Sequence, residues 1–133
     1  MGQPAAKAND QVVATDTHLV LVPAGVTVVP TPLPHPFTGV LTGGLCATVT
    51  VGGAAAATAG STAVNQPAHL PTPPGTSFVV PPSNTATIRV ASATVTFGGA
   101  AAARAGDIAT TCNDPVEAPV GTVVAAGTVL VGG

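Results

Sequence analysis

The stretch Ser92–Cys112, SATVTFGGAAAARAGDIATTC, is the part of the chain from which the fold can be read. Thr94–Phe97 alternates like a strand, Gly98-Gly99 reads as a tight turn, and four alanines lead to Arg104-Ala105-Gly106-Asp107. A short loop then ends in Cys112. An earlier segment, Cys46–Ser61 (CATVTVGGAAAATAGS), matches Ser92–Asp107 at 12 of 16 positions with an offset of 46. A recurrence of this kind marks one structural unit used more than once.

A third copy is present in two pieces. Thr128–Gly133 (TVLVGG) matches Thr48–Gly53 and stops where the alanines should follow, while Pro4–Asp10 (PAAKAND) aligns with Ala55–Ser61 at an offset of 51. The last strand and the first turn therefore make one unit between them. This predicts a closed ring of three units with the chain ends meeting at the seam, which leaves no open sheet edge.

The 133 residues carry no charge-rich or serine-rich linker, so residues 1–133 read as a single domain. Hydrophobic residues make up 46%, mostly Ala and Val, and Phe37, Phe78 and Phe97 are the sole aromatics. Side chains this small suit backbones that approach closely. With 16 glycines and 14 prolines the chain is cut into short strands rather than helices, and the alanine runs are too short to nucleate one. The expected class is all-β. Val12–Ala14 should lead into a polar loop, Thr15–His18, followed by a β-rich run, Leu19–Val29, turned at Pro23-Ala24-Gly25. Pro30–Pro36 must be extended. Ser77–Val80, Ala86–Val90 and Val120–Val131 read as further strands.

The charged residues are Lys7, Arg89, Arg104, Asp10, Asp16, Asp107, Asp114 and Glu117, for a net charge of −2. Three basic residues make no phosphate-neutralising stripe, which argues against nucleic acid as a partner. No run is long and apolar enough to anchor in a bilayer, and MGQPAAKAND lacks the pattern of a secretory signal, so synthesis in the cytoplasm is expected. Met-Gly at the start is a weak myristoylation signal without Ser or Thr at position six. Cys46 and Cys112 permit one disulfide, but free or metal-bound thiols fit that compartment better.

His18, His35, His69 and Cys112 form the chemical constellation. His18 and His69 each lie eleven residues after equivalent positions, Lys7 and Thr58. His35 and His69 sit in proline-stiffened segments, and Cys112 follows the third turn. A single loop histidine is more often solvated or packed than ligating; the shared register is what singles out the set. Loops leaving equivalent units of a ring converge at one end, and three imidazoles with a thiolate suit tetrahedral Zn²⁺ better than Fe²⁺. Four protein ligands saturate the ion, the pattern of a structural metal. Asp16 and Asp114, close in sequence to these residues, are candidates to orient imidazoles, though exposed loop carboxylates are the commoner explanation for both. Cys46 aligns with Ser92 and reads as a small buried hydrophobe. P-loop, dinucleotide and Ser-hydrolase motifs are missing, and no catalytic set is evident. Arg104 with Asp107, and Lys7 with Asp10, read as turn-stabilising pairs.

Pro4–Asp10 and Ala101–Asp107 resemble the PAAR-x-G-D motif, and the similarity to PAAR-repeat proteins, the tips of contractile injection machines, spans essentially the whole chain. Ala55, Thr58 and Ser61 in the second motif, and Lys7 and Asn9 in the first, depart from it. The resemblance implies a small pseudo-threefold cone whose base caps a trimeric β-helical spike, one tip per trimer, with zinc near the vertex. His18, His35, His69 and Cys112 occupy its ligand positions. It also implies a structural part and not an enzyme. As a bare tip without toxin extension, the protein would pierce the target envelope of a type VI, phage-tail or extracellular particle without anchoring in it, with effectors borne on the spike. A small metal-dependent hydrolase, which needs an open coordination position, and a free-standing metal-stabilised binding module are the competing expectations.

Overall fold

The structure is a computed structural model and describes residues 2–132; Met1 of the Met-Gly start and Gly133 of the last repeat lie outside it. The described residues hold strands and turns and no helix. The strands are β1 (Gln3–Pro4), β2 (Gln11–Ala24), β3 (Thr27–Gly43), β4 (Cys46–Val51), β5 (Ala54–Ala56), β6 (Thr62–Asn65) and β7 (Ser77–Phe78). They continue with β8 (Thr85–Ile88), β9 (Thr96–Phe97), β10 (Ala100–Ala101), β11 (Ile108–Thr111), β12 (Ala118–Val124) and β13 (Leu130–Val131).

Three short hairpins carry the repeat. β4 pairs with β5 and β9 with β10 across Gly52-Gly53 and Gly98-Gly99, whose φ values of 57°, 86°, 60° and 88° are those of a type I′ turn. The third hairpin is made by the chain ends: β1 pairs with β13, Gln3 opposite Val131 and Pro4 opposite Leu130. The alanine segments that follow bind one another in a circle. The Ala6 N–H donates to the Ala103 carbonyl (2.9 Å), Ala103 to Ala57 (3.1 Å), and Ala57 back to Ala6 (3.0 Å). Single bridges repeat the cycle, joining Lys7 to Ala56, Thr58 to Ala102 and Arg104 to Ala5. Ala6, Ala57 and Ala103 are wholly buried. Three backbones meeting this closely leave room for a methyl group on each and no more.

Each turn then closes in the same way. The third residue has a left-handed backbone (φ 94° at Gly60, 88° at Gly106), and Asn9 tolerates it in the first copy at 73°. The fourth residue supplies an oxygen: Lys7 N–H donates to Asp10 Oδ2, Thr58 N–H to Ser61 Oγ and Arg104 N–H to Asp107 Oδ2. Asp and Ser therefore exchange at this position because either can accept. The Lys7–Asp10 and Arg104–Asp107 side-chain contacts at 3.2 and 3.1 Å make these pairs turn-stabilising, as the sequence suggested. Ser61→Ala leaves the buried Thr58 N–H without a partner. It is expected to cost about 1–3 kcal/mol, read as a lower urea midpoint with unchanged slope.

Beyond the turns lies one antiparallel sheet, β12-β11-β8-β6-β3-β2-β7, in which β12 also pairs with β2. That pairing (Thr122–Val13, Val123–Val12, Val124–Gln11) closes six strands into a barrel. The threefold pattern continues inside it, with Val12, Ala63 and Ala109 at one level and Leu41, Ile88 and Val123 opposite the turns, all fully or almost fully buried. A second small core, Ala5, Val51, Ala56, Ala102 and Val131, sits among the hairpins.

The strands differ from those expected at several places. Thr15–His18 is not a loop but the middle of β2, paired with Pro34–Pro36 and Leu33 of β3. The hairpin turn is Gly25-Val26, one step later than expected. Val120–Val131 is two strands, because the chain leaves the barrel after β12 to reach β1. Pro30, Pro32, Pro34 and Pro36 lie within β3, which is possible because they fall on every second residue. Their missing N–H groups point away from β2, where Thr72 Oγ1 also reaches the Pro34 carbonyl.

Candidate metal centre

Strand alternation puts Asp16 and His18 of β2 on the inner face of the barrel, with His35 of β3 directly across from Asp16. Cys112 follows β11, and His69 descends from an irregular segment after β6. All five are buried. The donor atoms of Asp16, His18, His69 and Cys112 lie within 4.8 Å of one another. Four donors about 2.0–2.3 Å from a tetrahedral ion stand about 3.3–3.8 Å apart, so a small inward movement suffices. This buried cluster has the composition and spacing to hold a metal ion.

The imidazoles differ in what they have left to offer. His18 Nδ1 faces Asp114 Oδ2 at 3.4 Å, whereas its Nε2 is buried with no hydrogen-bond partner. An imidazole held by a carboxylate on one nitrogen, with the other aimed into the cluster, is arranged as a metal ligand is. The His69 Nε2 lies 2.9 Å from Asp16 Oδ2, and its Nδ1 lies 3.3 Å from the Asn65 amide nitrogen. Asn65 Oδ1 accepts from the Thr38 N–H, so its NH₂ group faces His69 and the imidazole proton belongs on Nε2.

His35 shares the cluster without sharing its donors. Its ring packs 5.3 Å from His18 and 5.5 Å from His69, but Nδ1 bonds the Leu33 carbonyl at 2.9 Å and Nε2 accepts the Thr72 N–H at 3.1 Å. Burial pushes its pKa down, against the Leu33 carbonyl and helped by the neighbouring His18 and His69, which favours the neutral ring. The structure thus brings three of the four expected ligands together with Asp16. Sequence reasoning gave Asp16 only an orienting role, because Thr15–His18 read as a loop; as a strand, positions 16 and 18 share a face.

The thiols separate clearly. Burial, then the Asp16 charge, raises the Cys112 pKa. Cys46 is half-buried against the hairpin core, and a hydrogen bond with the Thr48 hydroxyl lowers its pKa. Both are free. Because the thiolate is the nucleophile, iodoacetamide at pH 8 should label Cys46 first and leave Cys112 intact in folded protein, as read by peptide mass spectrometry. Equal labelling would contradict this placement.

Two recesses lead to the cluster. One, about 590 Å³, touches His18 and Cys112 and carries Asp114 and Glu117 on its walls; the other, about 300 Å³, touches His35 and His69. The first gives a cation an acidic route inward. Comparison with protein-family models, curated proteins and solved structures finds no match to this chain.

Proposed function

We propose that this protein is a structural tip for a trimeric spike, stiffened by one ion inside its barrel. The observation that carries the proposal is the circle of hydrogen bonds through Ala6, Ala57 and Ala103, with three equivalent hairpins beside it. A single chain built in this way has a threefold face, and such a face matches a threefold partner one to one. The PAAR-like turns at Pro4–Asp10 and Ala101–Asp107 support the assignment to a contractile injection apparatus, where the tip would cap the spike and lead it through the target envelope. The donor set of imidazole, thiolate and carboxylate suits Zn²⁺ and does not suit Mg²⁺ or Ca²⁺. When bound, the ion supplies cross-linking of strands β2 and β11 and the His69 segment, which the small Ala/Val core cannot supply alone.

The test is reconstitution with a trimeric β-helical spike protein of such an apparatus. Native mass spectrometry should find one chain per spike trimer, and a chain that stays free at micromolar concentrations would refute the capping role. Acquiring no stoichiometric metal during purification or titration would refute the stiffening role separately.

A further inference from the structure

We propose that the far end of the β2–β3 pair, Val22–Val29, is a finger that enters the interface of a lipid bilayer. β2 leaves the first turn at Gln11 and runs 14 residues, roughly 45 Å at strand spacing, away from the ring of hairpins. Its neighbours on the outer side stop early: β12 pairs with it as far as Val13, and β7 meets it at Val20 and Leu21. Past Leu21 no third strand flanks the pair among the described residues, and it closes through Gly25-Val26. Val26 is fully exposed at the end of this projection, and Val28 and Val29 behind it are 48% and 46% exposed.

Three observations select lipid as what covers the finger. No Asp, Glu, Lys or Arg occurs between Asp16 and Arg89, so nothing in it holds a charge that must stay hydrated. The register sets Val22 opposite Val29 on one face and Pro23 opposite Val28 on the other. A sheet covered on one side alternates apolar with polar residues; this pair is apolar on both faces, and a bilayer surrounds both. The edges are closed as well. The Leu19 and Leu21 carbonyls face outward to Val79 and Thr76, and Pro23 continues that outward phase, as Pro30 does on β3 opposite Leu21. Without N–H groups at these places a protein strand cannot add to the finger, and fewer unpaired donors enter hydrocarbon. From Val22 to Val26 the reach is about 13 Å, against a hydrocarbon core of about 30 Å, so the finger enters one leaflet and does not span. The assignment deepens the structural-tip reading, on which it rests for its purpose, but vesicles alone test it. A chain that binds lipid without capping a spike, or the converse, separates the two.

The chain has no tryptophan, so Val26→Trp supplies a single fluorescent reporter at an exposed position. With phosphatidylcholine vesicles its emission should shift to the blue. A nitroxide near the glycerol end of the acyl chain should quench it more than one near the methyl end. In flotation with the same vesicles, Val26→Asp should lower the partition coefficient of the full chain about tenfold or more. Ala47→Asp, equal in charge and exposed among the hairpins, should leave it within about twofold. A wild-type chain that does not float with vesicles, equal partitioning of wild type and Val26→Asp, or unshifted emission overturns the proposal. A blue shift that appears without vesicles and grows with protein concentration marks a second copy of the chain as the occupant, and overturns it too.

Discussion

If the cluster holds the proposed ion, a chelator added to the zinc-loaded protein is expected to lower its melting temperature by about 10–20 °C. An ion that binds only the folded chain, present at about a thousand times its dissociation constant, contributes about 4 kcal/mol, and a domain of this size shifts by several degrees for each kcal/mol. The effect should be large here because the barrel core is lean: apart from Phe37, Leu41 and Ile88, its buried apolar side chains are Ala, Val and Cys112. The loss should reverse on adding Zn²⁺ and should be muted in Cys112→Ser. Differential scanning calorimetry with and without chelator measures it, and identical transitions would mean the ion adds nothing to the fold. Acid should act in the same sense. The lowered pKa of His35 contributes stability above the ordinary imidazole range, which is lost as pH falls through and below it.

Ala57→Leu is expected to be the most damaging single substitution outside the metal cluster. Ala57 is wholly buried and its N–H and carbonyl both belong to the circle through Ala6 and Ala103. A larger side chain has to push one strand outward and stretch bonds of 3.0 and 3.1 Å. Overpacking usually costs about 1–3 kcal/mol, and a ring that cannot yield on one side without opening elsewhere belongs at or above the top of that range. Ala47→Leu, on an exposed position of β4, should stay within about 0.5 kcal/mol and serves as control. Urea midpoints of the two variants settle the matter: an Ala57→Leu protein as stable as wild type would show that the axis is not tightly packed.

These features were unequally visible in the sequence. The ring was legible because equivalent units need the same residues in the same order, so Cys46–Ser61, Ser92–Asp107 and the split third copy aligned without any structural knowledge. The barrel was not, since the β12–β2 pairing joins residues more than a hundred positions apart and no local pattern announces it. The prolines of β3 hid a strand by looking like a polyproline segment, and only their spacing of two betrays which edge they occupy. The same misreading of Thr15–His18 kept Asp16 out of the expected ligand set. For His35 the chemistry was visible and the geometry was not: whether an imidazole bonds a carbonyl and an amide or aims at a neighbouring cluster depends on the Thr72 segment, thirty-seven residues away.

The pairing of β1 with β13 also bears on how the polypeptide matures on the ribosome. The opening residues cannot find their hydrogen-bonding partners until Leu130–Val131 have left the exit tunnel, so nascent chains wait with an unfinished third of the ring. Long-range pairing of this sort folds slowly and exposes unpaired edges meanwhile. Synthesis from the N-terminus therefore gives no head start, and truncation by even a few residues at the far end should leave the opening segment unprotected against proteases.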